Sequence, residues 1–380
     1  MTTVHRSFIL LCLQLLTALS LHAQDASNDT SDAIRKGARI DQFLDGMYIG
    51  PRLSSKAEHL GYDRFEAQIA PHLYFFQSVE SVLRPHPGVA AKGGWAVAFV
   101  PLLRLRMTND SSSPVRTPTF NPQFVTVQKF FSWGYDTEKK DWPIESGWAS
   151  IASVQYTIAH HSNGQDGCTF VGTGTKDGSC APADFTTNAN PKINTTNGNY
   201  GTNYETLGLF VKRFRLDKNH TERMAIRYGL TWERYEWTLV SEHLPGGLGN
   251  DTASVDFQKI FGKHRVTADF EFERKLDHFK LGRLRTRAAV TYVSAAPKLK
   301  AQVKASLDGS FQFRGGSGMG IYGKAFYGQD YYNIRLQDVG FMGIIGLSWD
   351  VRPLQVFKIP YSVITGGSHA PPPPALGDLK

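Results

Sequence analysis

The chain has 380 residues, of which 12% are aromatic and 20% charged, with a formal net charge of +8 and a mean hydropathy of −0.30. Beyond the first residues, no stretch of 18 consecutive apolar residues occurs, which excludes a membrane protein built from spanning helices. No helical periodicity of useful length occurs either, so an all-helical fold is not expected.

The N-terminal residues predict an export signal. Arg6 supplies the positive charge, residues 8–21 form an apolar segment, and Ala23 offers a small residue for cleavage. We therefore expect residues 1–23 to be a signal peptide and residues 24–42 to be a periplasmic segment. An exported chain without a spanning helix is either soluble or an outer-membrane barrel. Its surplus Lys and Arg are expected to meet anionic lipid headgroups, and no nucleic-acid partner is expected.

Two of the three cysteines, Cys168 and Cys180, lie in a stretch rich in Gly, Asn, Thr and Ser over residues 165–202. The third falls in the predicted signal peptide. A zinc site would need more ligands than His160 and His161 supply. In an oxidising compartment we expect a disulfide between Cys168 and Cys180, within a long outer loop.

Apolar and polar residues alternate in recurring runs that are separated by Gly, Asn, Asp and Pro, a pattern typical of transmembrane β-barrels. The clearest run covers residues 224–232, and residues 339–349 repeat it. The candidate strands lie near 43–52, 65–76, 94–107, 123–133, 148–162, 203–216, 222–237, 253–261, 265–275, 279–294, 298–313, 320–333 and 338–350.

Bacterial single-chain barrels have an even number of strands, so one of these candidates is expected to be wrong, between residues 253 and 313. The prediction is an all-β fold, a twelve-stranded antiparallel transmembrane β-barrel over residues 43–352. A Pro-rich tail covers residues 353–380, and its part after Tyr361 is too rich in proline to be a strand.

Two neighbouring candidate strands place opposite charges on one face each. The three acids and three arginines are Asp269, Glu271, Glu273, Arg283, Arg285 and Arg287. Facing rows of acid and base would fill a small barrel with ion pairs, which argues against a wide pore. The alternative is that both rows are solvated faces of a hairpin.

Residues 152–159 alternate without a break and lead into His160, His161, Ser162, Asn163 and Gly164. In a strand, His160 and Ser162 share the apolar face, and His161 falls on the other face. A serine hydroxyl becomes a nucleophile only when a base removes its proton. The pair therefore predicts ester chemistry on a lipid-facing surface, and His161 is expected to be structural.

The base also needs a group that fixes its tautomer. On the strand after the loop, Asn203 and Glu205 fall on the same face and at the same end, and either can orient His160. Backbone N–H groups after Ser162, near Gly164, can contribute to an oxyanion hole. The alternative is an ordinary strand end, because Ser, Asn and Gly are turn residues.

Three stretches of the chain resemble the outer-membrane phospholipase A family. They are residues 160–164 (His-His-Ser-Asn-Gly), residues 112–123 (Ser-Ser-Pro-Val-Arg-Thr-Pro-Thr-Phe-Asn-Pro-Gln), and residues 327–333 (Tyr-Gly-Gln-Asp-Tyr-Tyr-Asn) with the strand from Val339. The likeness extends over most of the mature chain. It implies a twelve-stranded barrel in the outer membrane with a Ser-His-Asn triad on its exterior.

In this family, membrane phospholipids are hydrolysed at their acyl esters by a calcium-bound homodimer. The resemblance implies that Ser162 is the nucleophile, His160 the base and Asn203 the orienting residue. It further implies that Ser112 reaches calcium in the partner subunit and that the backbone of Gln165 is a calcium ligand.

Two other hypotheses remain open at this stage. Lipid A deacylases also place a His-x-Ser-Asn motif on a barrel exterior, and their acidic third residue would correspond to Glu205 beside His160 and Ser162. A non-enzymatic barrel for transport or structure is the other hypothesis, and the charged lumen disfavours it.

Overall fold

The structure is a computed structural model, and it describes residues 46–54, 63–77, 92–108, 118–133, 148–172, 174–181, 192, 194, 196–199, 201–216, 222–235, 261–276, 281–294, 296, 299, 301–313, 319–330, 339–349 and 354–355. Fourteen strands occur in this part of the chain: β1 Met47–Ser54, β2 Asp63–Ile69, β3 Leu73–Gln77, β4 Lys92–Thr108, β5 Thr119–Trp133, β6 Ala149–Ser162, β7 Gly201–Leu216, β8 Glu222–Tyr235, β9 His264–Lys275, β10 Leu281–Ser294, β11 Val303–Phe313, β12 Met319–Gln329, β13 Val339–Trp349 and β14 Leu354–Gln355. No helix among the described residues is long and apolar enough to cross a membrane.

The strands form a closed antiparallel barrel. Each strand from β4 to β13 pairs with the next along the chain, and β1 closes the ring by pairing Met47 with Trp349 of β13. Both β2 and β3 pair with β4, through Ile69 and Leu103 and then Leu73 and Phe99, so they are two halves of one barrel strand. The ring therefore has twelve strands, which confirms the predicted fold.

The strand predicted over 65–76 is broken, and in this respect the prediction is wrong. The break lies at residues 70–72, where Pro71 has no N–H to donate to a neighbouring strand. β14 pairs in parallel with β3, Leu354 opposite Leu73, so the predicted tail begins with a short strand. The outer loop runs from residue 163 to 200, two residues earlier than predicted at each end, because β7 already begins at Gly201.

Several predicted segments lie outside the described residues. They are the signal peptide 1–23, the periplasmic segment 24–42, the candidate strand 253–261 except for its last residue, and the tail beyond Gln355. Phe261 is described and is not part of a strand. The barrel closes with twelve strands from the described residues, without the candidate strand 253–261.

The two faces of the wall follow the predicted alternation. On the outside, Leu209, Tyr228 and Ile345 are 52%, 50% and 68% exposed. On the inside, polar residues of β6 such as Ser153 and Gln155 are buried. The apolar exterior is what a barrel in a bilayer requires, because no backbone or polar group can be left facing hydrocarbon.

Ion pairs occupy the lumen, as the charge pattern predicted. Arg227 Nη2 lies 2.9 Å from Asp269 Oδ1, and Arg285 Nη2 lies 2.5 Å from Glu271 Oε2. Arg283 also pairs with Glu273. Each of these partners comes from β8, β9 or β10, so the charges cross-link three adjacent strands from within.

A second group of charges joins strands that lie far apart in sequence. Arg106 of β4 contacts Glu66 of β2 at 2.6 Å and Asp330, just after β12, at 2.8 Å. Tyr48 of β1 donates to the other oxygen of Glu66 at 2.6 Å. The group therefore connects the strands on both sides of the β1–β13 closure.

The lengths of the connections orient the barrel. Residues 217–221, 276–280 and 314–318 make short connections at one end, which also has connections of intermediate length at 78–91 and 134–148. The two longest connections, 163–200 and 236–263, are at the other end. Outer-membrane barrels have short periplasmic turns and longer extracellular loops. The end at which β6 stops and β7 starts is therefore the outer end.

Candidate active site

The antiparallel pairing of β6 and β7 places His160 directly opposite Asn203. Nδ1 of His160 lies 2.7 Å from Oδ1 of Asn203. Alternation along the strands puts both residues on the exterior face, in line with the exposed Val154 on β6 and Leu207 on β7. On that face His160 is half-buried and Asn203 is buried among its neighbours. The amide oxygen can only accept, so Nδ1 of His160 holds the proton and Nε2 is left as the basic nitrogen.

Ser162 is the last residue of β6 and lies two positions beyond His160 on the same face. The two Cα atoms are separated by one strand repeat, about 6.5–7 Å. No hydrogen bond joins the two side chains among the described contacts, and such bonds often tighten only when substrate binds. Gly201 lies opposite Ser162 on β7, so that neighbour has no side chain to cover the hydroxyl.

Glu205 is on the same face but is not level with His160. Its register partner on β6 is Ile158, and its carboxylate accepts a hydrogen bond of 2.7 Å from the hydroxyl of Tyr156. The alternation of residues identified Glu205 but did not identify Tyr156 as its partner. The alternation of side chains along β6 already puts Tyr156 on the exterior face. Its diagonal contact with Glu205 on β7 depends on the register of the two strands, which alternation alone does not fix.

His161 is buried on the lumen side of β6, as predicted from the alternation. The strand therefore separates the two adjacent histidines by the thickness of the barrel wall. Only His160 is in a position to meet a lipid.

The backbone that follows Ser162 is held by the outer loop. Asn163 is buried, and its Nδ2 donates to the carbonyl of Gly198 at 2.7 Å. Its Oδ1 accepts the backbone N–H of Gln165 at 3.3 Å. Gly164 has a φ of 64°, a conformation that suits glycine. The returning end of the loop thus fixes the turn in which oxyanion donors were predicted.

The predicted disulfide is present between Cys168 and Cys180, whose Cα atoms are 5.5 Å apart. Between them, the hydroxyl of Thr175 and the backbone N–H of Ser179 donate to Asp177, and these bonds lower the pKa of the Asp177 carboxyl to about 2. The bridged turn is exposed and lies within the loop. It belongs to the loop and not to the residues that surround His160.

The donors expected for calcium are only partly described. Ser112 lies outside the described residues, and Gln165 is half-buried beside Asn163. Calcium takes six to eight oxygen ligands, often from several carboxylates. The described part of the chain contains no group of three or more His, Cys, Asp or Glu residues placed to hold a metal ion. The described residues around Gln165 therefore do not form a complete calcium site by themselves.

Neither a known family model nor a curated protein matches the chain. Among solved structures, the chain is similar to outer membrane phospholipase A from Escherichia coli, with 11% identity, 81% of this chain and 93% of that chain covered, and a TM-score of 0.43. It is similar to the Salmonella typhi outer membrane phospholipase dimer with bound calcium, with 13% identity, 81% and 91% covered, and a TM-score of 0.39.

A third similar structure is the beta domain of the Bordetella autotransporter BrkA, with 9% identity, 80% of this chain and 96% of that chain covered, and a TM-score of 0.31. All three are outer-membrane barrels. Their TM-scores are below 0.5, so no activity is argued from them, and the barrel itself is established by its own strand pairing.

Proposed function

We propose that this barrel is a serine esterase of the bacterial outer membrane that hydrolyses the acyl esters of phospholipids, with Ser162, His160 and Asn203 as its triad. The observation that supports the proposal best is the 2.7 Å contact between His160 Nδ1 and Asn203 Oδ1 on the exterior face of the barrel wall. Such a polar pair is costly beside hydrocarbon, so its presence calls for a function.

In the proposed reaction, Ser162 Oγ attacks the carbonyl carbon of the ester while Nε2 of His160 takes the hydroxyl proton. The tetrahedral intermediate collapses when His160 returns this proton to the leaving alcohol, which departs as a lysophospholipid. Water then cleaves the acyl-serine by the same route, and the fatty acid is released. Asn203 holds the imidazole and stabilises its protonated form throughout.

The developing negative charge on the ester oxygen needs donors. We assign this role to backbone N–H groups of the turn after Ser162. Asn163 supports them because its amide ties the turn to Gly198 on the returning end of the loop. Since the site is on the outside of the wall, a lipid reaches it by lateral diffusion within its leaflet and does not enter the lumen.

The proposal also includes a bound calcium ion and a homodimer. They come from the resemblance of residues 112–123 to the phospholipase family, with Ser112 and the carbonyl of Gln165 as the expected ligands. Calcium near the site would supply positive charge to the oxyanion. No step above is assigned to the ion. Export by the peptide 1–23 and insertion from the periplasm belong to the same proposal.

A second candidate function is lipid A deacylation with Glu205 in the place of Asn203. Its support is that Glu205 is on the same exterior face, one strand repeat from Asn203. The bond between Glu205 and Tyr156 favours the phospholipase, because the carboxylate is already bound at a level one strand repeat, or two residue pairs, below His160.

Purified protein, assayed on phosphatidylethanolamine and on lipid A with calcium and with chelator, tests the proposal. We expect fatty acid release from the phospholipid, loss of that release in Ser162→Ala, and little release from lipid A. Release from lipid A alone would replace the proposal with the deacylase. Undiminished phospholipid hydrolysis in Ser162→Ala, from a sample free of other lipases, would end it.

A further inference from the structure

Two arginines on the outside of the barrel stack against one tryptophan at the periplasmic end of β6 and β7. Cζ of Arg213 lies 5.3 Å from the centroid of the Trp148 ring, and Cζ of Arg215 lies 4.7 Å from it. The register explains both contacts, because Ala149, which follows Trp148, pairs with Phe214 between the two arginines. We call Trp148, Arg213 and Arg215 the exterior arginine cluster.

Both arginines are on the exterior face of β7. Leu207 and Leu209 are exposed to the outside, and Arg213 and Arg215 lie an even number of positions further along the same strand. Phe214, between them, is buried on the lumen side. β7 pairs with β8 without a register shift as far as Arg215, so the alternation of faces holds up to this residue.

The cluster lies where the apolar band of the exterior ends. The short connection 217–221 follows it, and short connections are at the periplasmic end of such barrels. Tryptophan is enriched where hydrocarbon meets lipid headgroups, and arginine extends its charged end to the same level. Headgroups of the periplasmic leaflet are therefore the external groups that lie nearest to the two guanidinium groups.

The two positive charges have no acid beside them. Neither guanidinium group makes a hydrogen bond or an ion pair within the part of the chain that the structure describes, and Nε of Arg215 is buried without a partner there. The register partners of Arg213 are Ser150 and Ile226, and Arg215 is opposite Met224. The two Cα atoms are one strand repeat apart, about 6.5–7 Å, so the like charges repel each other unless an anion lies between them.

We infer that Trp148, Arg213 and Arg215 form a binding site for the phosphate of an anionic phospholipid in the periplasmic leaflet. A guanidinium group that stacks on an aromatic ring through its face keeps the N–H donors at its edge free for phosphate oxygens. Leu209 and Val211 continue the exterior face toward the bilayer centre and offer an apolar surface to the acyl chains. Two positive charges favour a lipid with a net negative charge over a zwitterionic one.

The site is at the opposite end of the wall from the candidate active site. Arg213 lies opposite Ser150, which is ten residues from His160 along β6, about 33 Å at the usual rise of a strand. A lipid bound there ties the periplasmic rim of the barrel to its leaflet. The inference concerns binding alone and does not rest on the proposed hydrolysis.

The test uses the full chain with Ser162→Ala, so that no lipid is consumed, in a neutral detergent. Native mass spectrometry measures the retention of phosphatidylglycerol, of zwitterionic phosphatidylethanolamine and of diacylglycerol, which lacks phosphate, and inorganic phosphate is added as a competitor. The double variant R213Q/R215Q is compared with the parent chain. R274Q is the matched control, because Arg274 is exposed on the exterior face in the same row, opposite Met224, and has no described contact with a tryptophan.

We expect phosphatidylglycerol to be retained, phosphatidylethanolamine to be retained more weakly and diacylglycerol not at all. R213Q/R215Q should bind phosphatidylglycerol about tenfold more weakly, as for one lost charge-assisted hydrogen bond. R274Q should bind like the parent. Heat-dependent migration on gels verifies the folded barrel, and Arg213→Gln alone, at the exposed position, replaces the double variant if that does not fold.

Four results would each overturn the inference. They are retention of diacylglycerol equal to that of phosphatidylglycerol, equal retention of phosphatidylethanolamine, displacement of the lipid by inorganic phosphate at the same concentration, and a weakening in R274Q equal to that in the double variant.

Discussion

His160 and Asn203 are 43 residues apart in the chain, yet Nδ1 of one lies 2.7 Å from Oδ1 of the other. The contact joins directly opposed residues of β6 and β7, so the ladder of the barrel sets its geometry. The long loop between the two strands can therefore vary without moving the pair. A base fixed in this way by a rigid wall is what the proposed chemistry requires.

Replacing Asn203 by Ala should lower kcat for phospholipid hydrolysis about ten- to hundredfold, because the imidazole loses the group that fixes its tautomer. Glu205→Ala should lower it less than about threefold, since Glu205 is bound to Tyr156 and not to His160. Initial rates of fatty acid release measure both effects, and heat-dependent gel migration controls for folding. A larger loss in Glu205→Ala, with lipid A as the better substrate, would support the deacylase instead.

The two adjacent histidines should differ sharply in their effect on activity. His160→Ala should reduce kcat by a factor of about 10² to 10⁴, the usual contribution of a general base. His161→Ala is the matched control, because His161 is buried in the lumen on the other side of the wall. It should keep most of the activity in folded protein. If the order of the two losses were reversed, the face assigned to lipid would be the wrong one.

Strand periodicity predicted most of this fold because one face of each strand is apolar and the other polar. The bounds of β6, β9 and β13 agree with the prediction to within a residue. The break between β2 and β3 at Pro71 was missed, since alternation continues across it. The pairing of β1 with β13 follows from the even number of strands, because a closed antiparallel barrel then joins its first strand to its last.

Only part of the candidate site could be predicted from the alternation of side chains between the two faces of a strand. This alternation placed His160, Asn203 and Glu205 on one face, but it left open whether Asn203 or Glu205 lies opposite His160. The register of β6 against β7 decides this, and register depends on the packing of whole strands. The contact of Asn163 with Gly198 was likewise hidden, because it joins the two ends of a long loop.

Arg106 should be important for stability and not for catalysis. It is fully buried in the lumen and pairs with Glu66 and Asp330. Arg106→Ala leaves Arg52, at 3.6 Å from Glu66 and 3.4 Å from Asp330, as the remaining cation beside both carboxylates, so the free energy of unfolding should fall by about 1–3 kcal/mol. Urea unfolding of the reconstituted barrel measures this change. Arg274→Ala, on the exposed exterior, should change it by no more than about 0.5 kcal/mol. Equal effects would contradict the structural role of the lumen network.

Covalent labelling of Ser162 tests the central claim most directly. A fluorophosphonate forms a bond to an activated serine oxygen with loss of fluoride, and peptide mass spectrometry locates the adduct. We predict one adduct on Ser162 in the folded wild-type barrel, loss of hydrolysis in step with labelling, and no adduct in His160→Ala. An active barrel that is labelled on another serine, or that stays fully active without any label, would contradict the account.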